Sequence, residues 1–468
     1  SEHHRKLLDN HRRGRTVTHP ALLATGAALL IALADPAGAQ SAADLLPPDP
    51  GIRTDPEREV APPEEPEAAA AVTQGGGAGP SFVLGGIALD GATAIPEAEL
   101  APIWAELIGQ PVTLAALEEI ALQIGIAYRA RGFVLSQAIL PAQSIEDGIV
   151  RIQVIEGFVD RVEISGGTDT QRGLADRTFA PVAEERPLKL RTLERAVLLS
   201  RDTFGGTAES VETVIEPSPD TFAAADLGVA LEPDPWNAFA AIDNRGSRLY
   251  GQWTLAAGGS AYGQLGLNER LDGLLAVSPT DGSLAFASGV FDMPLPGLDG
   301  TALDGGRFEF AGDISRSDPD LSKSGSPEDL RLILNEWNLR AGMIVPFVRA
   351  RSQNLFGRLS LGWRDSQSEN LLEAVFEETS TDRLAVLETR LTWDVADRFG
   401  GVSLVDATWR QGLDIGAASI GAQGPAAGTP DFTRLNLVLS RLQRLGNGPW
   451  ALYGEAIGQY GANVLPNS

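Results

Sequence analysis

The side chains that could carry acid–base, nucleophilic or metal chemistry are unevenly spread along this 468-residue chain. All four histidines, His3, His4, His11 and His19, lie near the start, and there is no cysteine. They precede an apolar run from Ala21 to Ala34 and the sequence Ala37-Gly38-Ala39, which has the A-x-A pattern of a secretory cleavage site; Arg5, Lys6, Arg12, Arg13 and Arg15 lie upstream. This run is shorter than the roughly 20 residues a helix needs to span a bilayer, so residues 1–39 are expected to be a signal peptide. A mature chain beginning at Gln40 then holds neither imidazole nor thiol. Histidine-based acid–base catalysis, cysteine nucleophiles, serine triads that use histidine and ordinary zinc centres all fall away. Neither an enzyme nor a cofactor is expected.

What remains is carboxylate and guanidinium chemistry, and its spacing is informative. Between Leu384 and Val395, the residues Glu388, Arg390, Thr392 and Asp394 fall on one parity, and Leu387, Leu391, Trp393 and Val395 on the other. Arg358, Ser360 and Arg364 oppose Leu355, Leu359, Leu361 and Trp363 in the same way, as Glu336, Asn338 and Arg340 oppose Trp337, Leu339, Met343 and Val345. A period of two places every ionisable group on one face of a strand. That face meets water in a soluble sandwich and lines the lumen in a transmembrane barrel, and alternation by itself fits both.

The elements that carry these residues favour the barrel. From Trp236 to Ser468, about eleven alternating segments follow one another, divided by turn clusters such as DNRGS, SPTDG, PLPGLDG and RLGNGPW. Many run to about 11–16 residues, whereas globular strands usually have about 5 or 6. Seven of the eight tryptophans and four of the five tyrosines fall in this region. Several of them (Trp236, Tyr250, Tyr262, Trp450, Tyr460) sit near segment ends, as interfacial girdles require; cross-strand pairs in a soluble sheet are the other use of such residues. No stretch after the signal peptide has the length of a membrane-spanning helix, so entry into a bilayer requires a closed barrel. The formal charge is −25, and residues 1–39 carry a net +2, which leaves about −27 on the mature chain. So acidic a surface excludes nucleic acid as an expected partner.

Upstream of the strands, residues 40–80 are rich in Pro, Glu, Ala and Gly and read as an extended linker, with a short helix over Asp55 to Val60 as one option. Phe82 to Pro235 then reads as two consecutive β-α-α-β-β modules of α+β type. The first has a strand from Phe82 to Leu89, a helical segment from Ile95 to Leu107, and a helix from Thr113 to Arg131. Leu114, Leu117, Ala121, Ile124 and Tyr128 share one face of that helix, and Gly132 closes it. Strands at Phe133 to Leu140 and Ile149 to Glu156 complete the module. The second has a strand from Phe158 to Ile164, a helix near Leu193 to Arg201 capped by Thr192, and strands at Ser210 to Glu216 and Phe222 to Leu231.

The stretch LEEIALQIGIAYRARGFVLSQAILPAQSIEDGIVRIQVIEGFVDRVEISG, from Leu117 to Gly166, resembles the first POTRA domain of the two-partner secretion transporters. These form the hemolysin-activator and hemagglutinin-secretion family within the BamA-like outer-membrane superfamily. The resemblance rests on R-x-x-G-F, L-P-x-Q, D-G and V-x-E-G-x-V in that order. It implies a linker, POTRA 1 over 81–157, POTRA 2 over 158–235 and an antiparallel transmembrane β-barrel from 236. The family barrel has sixteen strands, of which about eleven would be present here. A plug helix belongs ahead of the linker in the family; here LLPPDPGIRTDPEREV occupies that place and is short and broken by prolines. The family's inward loop with its V-R-G-F/Y motif would begin just after Asn467-Ser468, and the chain starts with Ser rather than Met, so a fragment unable to secrete by itself is expected.

The implied function is export of an unfolded exoprotein across the outer membrane without nucleotide hydrolysis, with the POTRA domains in the periplasm. Expected partners are that exoprotein and outer-membrane lipid, and a monomeric state is expected. A groove between the helix Thr113 to Arg131 and the strand Phe133 to Leu140 is the candidate receptor, with Tyr128, Phe133, Leu135 and Ile139 as pockets or, alternatively, as module core. Arg340, Arg358, Arg364, Glu388, Arg390 and Asp394 are candidate pore-lining residues, or simply a solvated polar wall. A BamA-like barrel insertase is the alternative, usually with more POTRA repeats; an outer-membrane lipase would lack its histidine, and a passive porin would not need the modules.

Overall fold

The computed structural model describes residues 81–462 apart from 206–209, 245–250, 280–282, 299, 321–329, 373–375, 416–417, 422–428, 447 and 449. The expected signal peptide, the linker with its Asp55 to Val60 helix, and the plug segment lie outside the described residues, as does Tyr250.

The first module contains β1 (Phe82–Val83), β2 (Gly86–Asp90), α1 (Glu97–Leu100), β3 (Pro111–Val112), α2 (Leu114–Ala130), β4 (Gln137–Ile139) and β5 (Ile149–Ile155). The apolar run expected as one strand is divided at Leu84 and Gly85. There Gly85 N donates to Gly148 O at 2.8 Å, and a Cβ on Gly85 would stand 2.4 Å from Asp147 O. β1 therefore pairs with β3, while β2 pairs in parallel with β5. The helix expected from Ile95 to Leu107 breaks into α1 and two 3-10 turns, because Pro102 supplies no amide hydrogen to continue it.

α2 forms as its sequence requires. Thr113 Oγ1 accepts from Ala116 N at 3.4 Å, and the helix ends with Gly132 at φ 88°, Gly132 N bonded to Arg129 O and Phe133 N to Tyr128 O. Its buried stripe is Leu117, Ile120, Ala121, Ile124 and Tyr128; Leu114, expected inside, is exposed. The next strand is much shorter than expected. Phe133 to Ser136 turns instead, with Ser136 N bonded to Phe133 O, because the Phe133 ring is drawn into the core beside Tyr128, 5.7 Å between centroids. Only Gln137–Ile139 pairs with β5.

The second module repeats this order with β6 (Phe158–Gly166), α3 (Asp169–Glu184), α4 (Leu190–Phe204), β7 (Val211–Pro217) and β8 (Ala224–Leu231). Both sheets have one topology: the first and last strands run parallel, and the middle one lies antiparallel at the edge, β2-β5-β4 and β6-β8-β7. The β-α-α-β-β order calls for a helix ahead of α4 without placing it; α3 fills that place, and Thr168 and Gln171 form a full capping box that marks its start. α4 begins three residues before the expected Leu193. Thr192 lies within its first turn, and Lys189 takes the cap position without a side-chain bond. Each module has its own apolar core, around Ile124 and Ile152 in the first and Phe179 and Leu227 in the second.

Among the described residues eleven strands follow: β9 (Trp236–Asp243), β10 (Thr254–Tyr262), β11 (Arg270–Val277), β12 (Leu284–Pro294), β13 (Arg307–Ser317) and β14 (Leu330–Arg349), then β15 (Gln353–Leu372), β16 (Phe376–Ala396), β17 (Gly401–Leu413), β18 (Thr433–Arg444) and β19 (Ala451–Ala462). They form one antiparallel sheet in chain order, each strand beside the next. β14, β15 and β16 have 20, 20 and 21 residues, about twice the 9–11 that a tilted strand needs in lipid.

Burial across this sheet runs opposite to that of a water-soluble one. In β15, Arg358 is 3% exposed, whereas Leu359 and Leu361 are each 50% exposed. Glu309, Ser360, Thr392, Asp406 and Thr408 are likewise buried, while Phe310, Trp337, Leu391, Trp393 and Leu437 face outward. The alternation seen in the sequence therefore belongs to a barrel-type wall with an apolar outer face, and the sandwich option is set aside.

Candidate functional site

The ionisable face is held together by pairs that cross strands. Arg358 and Arg390 stand directly opposite each other in β15 and β16, an arrangement that like charges make unfavourable. Each finds a different carboxylate: Arg358 Nη2 donates to Glu309 Oε2 at 2.8 Å, and Arg390 Nε donates to Asp406 Oδ2 at 2.7 Å. To reach Glu309 on β13, Arg358 must pass over β14, and Gly342, registered between Glu309 and Ser360, presents no side chain there. Arg340 lies 3.4 Å from Glu309 as well. Arg364 pairs with Glu336 at 2.5 Å, Glu388 accepts from Arg410 Nε at 2.6 Å, and Asp394 accepts from Asn354 Nδ2 at 2.8 Å.

All six sequence-named residues thus lie on one wall, in a lattice whose other members were not named. Glu309, Asp406 and Arg410 complete it. The signal for them was present: Arg307 and Glu309 alternate with Phe308 and Phe310 in β13, and Asp406, Thr408 and Arg410 alternate with Val405, Ala407 and Trp409 in β17.

The four expected receptor residues are not brought together. Tyr128 is fully buried and Phe133 nearly so, both in the core of the first module. Leu135 is half-buried against the core of the second module, and Ile139 is 38% exposed on β4. The expected groove is closed, since α2 packs directly on β4: a Cβ on Gly125 would stand 3.9 Å from Ala138 N. Among the described residues, the outer edge of β4 stays open, and β4 pairs with β5 on its other side.

One residue missed as a site residue organises the first module. Glu156 accepts from Thr93 N and Ala94 N, each at 2.7 Å, from the Thr93 hydroxyl, and from the Tyr128 hydroxyl at 2.7 Å. Burial raises its carboxyl, but these donors outweigh burial and hold it below the usual carboxylate range. Burial, reinforced by the neighbouring carboxylate, pushes the Tyr128 phenol up.

The second module sits on turns and strand ends of the large sheet. Arg195 donates to Pro346 O at 2.9 Å and Asp304 O at 2.8 Å, and Arg349 forks onto Asp202 with Nε and Nη2 at 2.7 and 2.8 Å. Arg307 donates to Thr203 Oγ1 at 3.1 Å, and Asn268 Nδ2 to Thr170 O at 3.2 Å. A basic residue in β14 is thereby nearly removed from solvent by a carboxylate from a helix of the module.

Comparison with known proteins agrees with this arrangement. Residues 82–157 match the family described as POTRA domain, ShlB-type. The outer membrane transporter CdiB of Escherichia coli is 27% identical over 195 residues, which cover 42% of this chain and 32% of that protein. The heme/hemopexin transporter protein HuxB of Haemophilus influenzae is 26% identical over 175 residues, covering 37% and 30%. The matched stretch spans about a third of the length of these relatives. The solved structure of CdiB from Escherichia coli superposes with a TM-score of 0.62 at 18% identity, over 84% of this chain and 71% of that one, and so shares the fold. Residues 82–157 thus match the ShlB-type POTRA family ahead of an antiparallel sheet of barrel type, and about two fifths of the chain is similar in sequence to the transporters CdiB and HuxB.

Proposed function

We propose that the chain belongs to a two-partner secretion transporter of the outer membrane. Its periplasmic modules recognise an unfolded exoprotein of hemolysin or adhesin type, and its barrel conducts that chain outward without nucleotide hydrolysis. In this reading 81–157 and 158–235 are two POTRA domains, 236–468 is the transmembrane part, and the outer face with Leu359, Leu361 and Trp393 meets lipid. The observation that carries it is the inverted burial of the sheet, Arg358 at 3% against Leu359 at 50%, directly downstream of two modules with an open strand edge.

The exoprotein adds to the outer edge of β4 by main-chain hydrogen bonds, beside Ile139. Tyr128 and Phe133 shape that edge from the core instead of touching the cargo, and Leu135 does so from the module boundary. Arg340, Arg358, Arg364, Glu388, Arg390 and Asp394 line the conduit. Because they are already engaged with neighbours on the wall, they hold a passing chain weakly.

Deletion of residues 82–157 in a strain that also carries a neighbouring exoprotein gene is the test. Loss of the exoprotein from the medium, with other outer-membrane barrels at normal levels, is expected. Unchanged export overturns the receptor role, and a general loss of barrels favours a barrel insertase.

A further inference from the structure

Helix α4 touches two separate parts of the chain. At its start, Leu190 N donates to Gly132 O at 2.8 Å, Leu188 N donates to Gly157 O at 3.0 Å, and the Lys189 ammonium stands 5.5 Å from the centre of the Phe133 ring. Gly132, Phe133 and Gly157 all belong to the R-x-x-G-F and E-G sequences of the first module. Gly157 lets the joint close, because a Cβ there would lie 2.3 Å from Leu135 O, and Leu135 in turn packs against the second core.

Further along, the same helix is fastened to the large sheet. Arg195 grips the carbonyls of Pro346 and Asp304, Leu199 lies where a Cβ on Gly305 would meet it at 2.9 Å, and Asp202 receives the fork of Arg349. Arg349 is 5% exposed at its side chain and also donates to Asn354 Oδ1 at 2.8 Å, while Asn354 donates to Asp394. The fastening is therefore continuous with the ionisable wall. Within this fifteen-residue helix, Leu190 and Asp202 are separated by about 18 Å along the axis.

We propose that α4 is a strut that holds the first module at one fixed position relative to the near end of the large sheet, with Gly132 and Gly157 as its joint and the Asp202–Arg349 pair as its principal fastening. Successive domains ordinarily move against one another. Here backbone hydrogen bonds at one end of a helix and a nearly buried ion pair at the other remove that freedom. This deepens the receptor reading and takes its purpose from it: a segment added to β4 is presented to the conduit from a constant place. The rigidity itself needs no cargo.

The absence of native cysteine allows a clean measurement. Nitroxide labels at Glu118→Cys in α2 and Ala302→Cys in the β12–β13 turn are introduced into the full chain, purified in detergent micelles without any exoprotein, and their separation is read by electron–electron double resonance. A single narrow distance peak is expected. Asp202→Ala is expected to broaden it at least about twofold, since it strands the guanidinium, and the reversed pair Asp202→Arg with Arg349→Asp is expected to narrow it again. A broad distribution in the parent chain, or an unchanged width in Asp202→Ala, overturns the strut. If Asp202→Ala loses its far-ultraviolet dichroism, Arg195→Met at the neighbouring attachment is read by the same two outcomes. A failed receptor role would show in export with this peak still narrow, so the two failures are distinguishable.

Discussion

The hydroxyl of Tyr128 donates to Glu156 Oε1 at 2.7 Å, which ties the last turn of α2 to the residue that ends the sheet of the first module. The same carboxylate holds Thr93 and Ala94 on the far side, so three segments distant in sequence meet at one group. Tyr128→Phe leaves the other donors in place and is expected to cost about 1–2 kcal/mol, whereas Glu156→Ala leaves all the donors from Thr93, Ala94 and the buried Tyr128 without their acceptor and is expected to cost about 3 kcal/mol. Hydrogen exchange over residues 114–130 in the full chain measures both. An Ala variant no weaker than the Phe variant would remove Glu156 from its organising place.

The same pair makes the first module sensitive to acid. The Glu156 carboxyl lies below its ordinary range in the folded chain, so the unfolded chain binds the proton more readily. Its contribution is fully present above the ordinary carboxylate range and is lost as pH falls through the lowered value. The protection difference between the parent and Glu156→Gln is expected to shrink on acidification, once intrinsic exchange rates are corrected. A difference that grows instead contradicts the assignment.

Gly157 is required by space and not by backbone freedom. Any side chain there meets Leu135 O and its Cβ, at 2.3 and 2.7 Å, and the obstructing atoms are largely backbone. Gly157→Ala is expected to destabilise the paired modules by about 1–3 kcal/mol, seen as a lower unfolding temperature of the full chain, and Gly157→Val by more. Equal stability of Gly157→Ala and the parent would show that the joint yields.

Glu309 neutralises Arg358 on the inner wall, both nearly inaccessible. Glu309→Leu alone removes the carboxylate shared by Arg358 and Arg340 and is expected to cost about 3–5 kcal/mol, while Glu309→Leu with Arg358→Leu recovers part of the loss, since Arg340 still lacks it. Unfolding followed by tryptophan fluorescence in detergent distinguishes them. A double variant as weak as the single one would mean that Arg358 contributes chiefly by packing.

On the opposite face, the proposed lipid contact implies that Leu359→Arg, which adds a charge there, reduces folding into vesicles by about 2–4 kcal/mol. Normal folding of this variant would reverse the assignment of the two faces.

Much of this architecture is local in origin and therefore legible in the chain. The cap of α2 at Thr113, its close at Gly132, the repeated order of the two modules and the alternation around Arg358 and Arg390 all follow from spacing that neighbouring residues impose on one another. α3 was legible too, through Thr168 and Gln171, yet its polar first turn concealed it from a search for apolar period.

What the sequence by itself determined is which residues share a face and where a well-capped element such as α2 begins and ends, because rotation per residue is a property of the backbone. Only the tertiary structure decided which face is buried, which carboxylate serves which arginine, and that Tyr128 and Phe133 fill a core while the edge of β4 stays open. Those outcomes depend on strands and modules brought together from far apart in the chain, as when Arg349 meets Asp202 across 147 positions, and no local spacing encodes that distance.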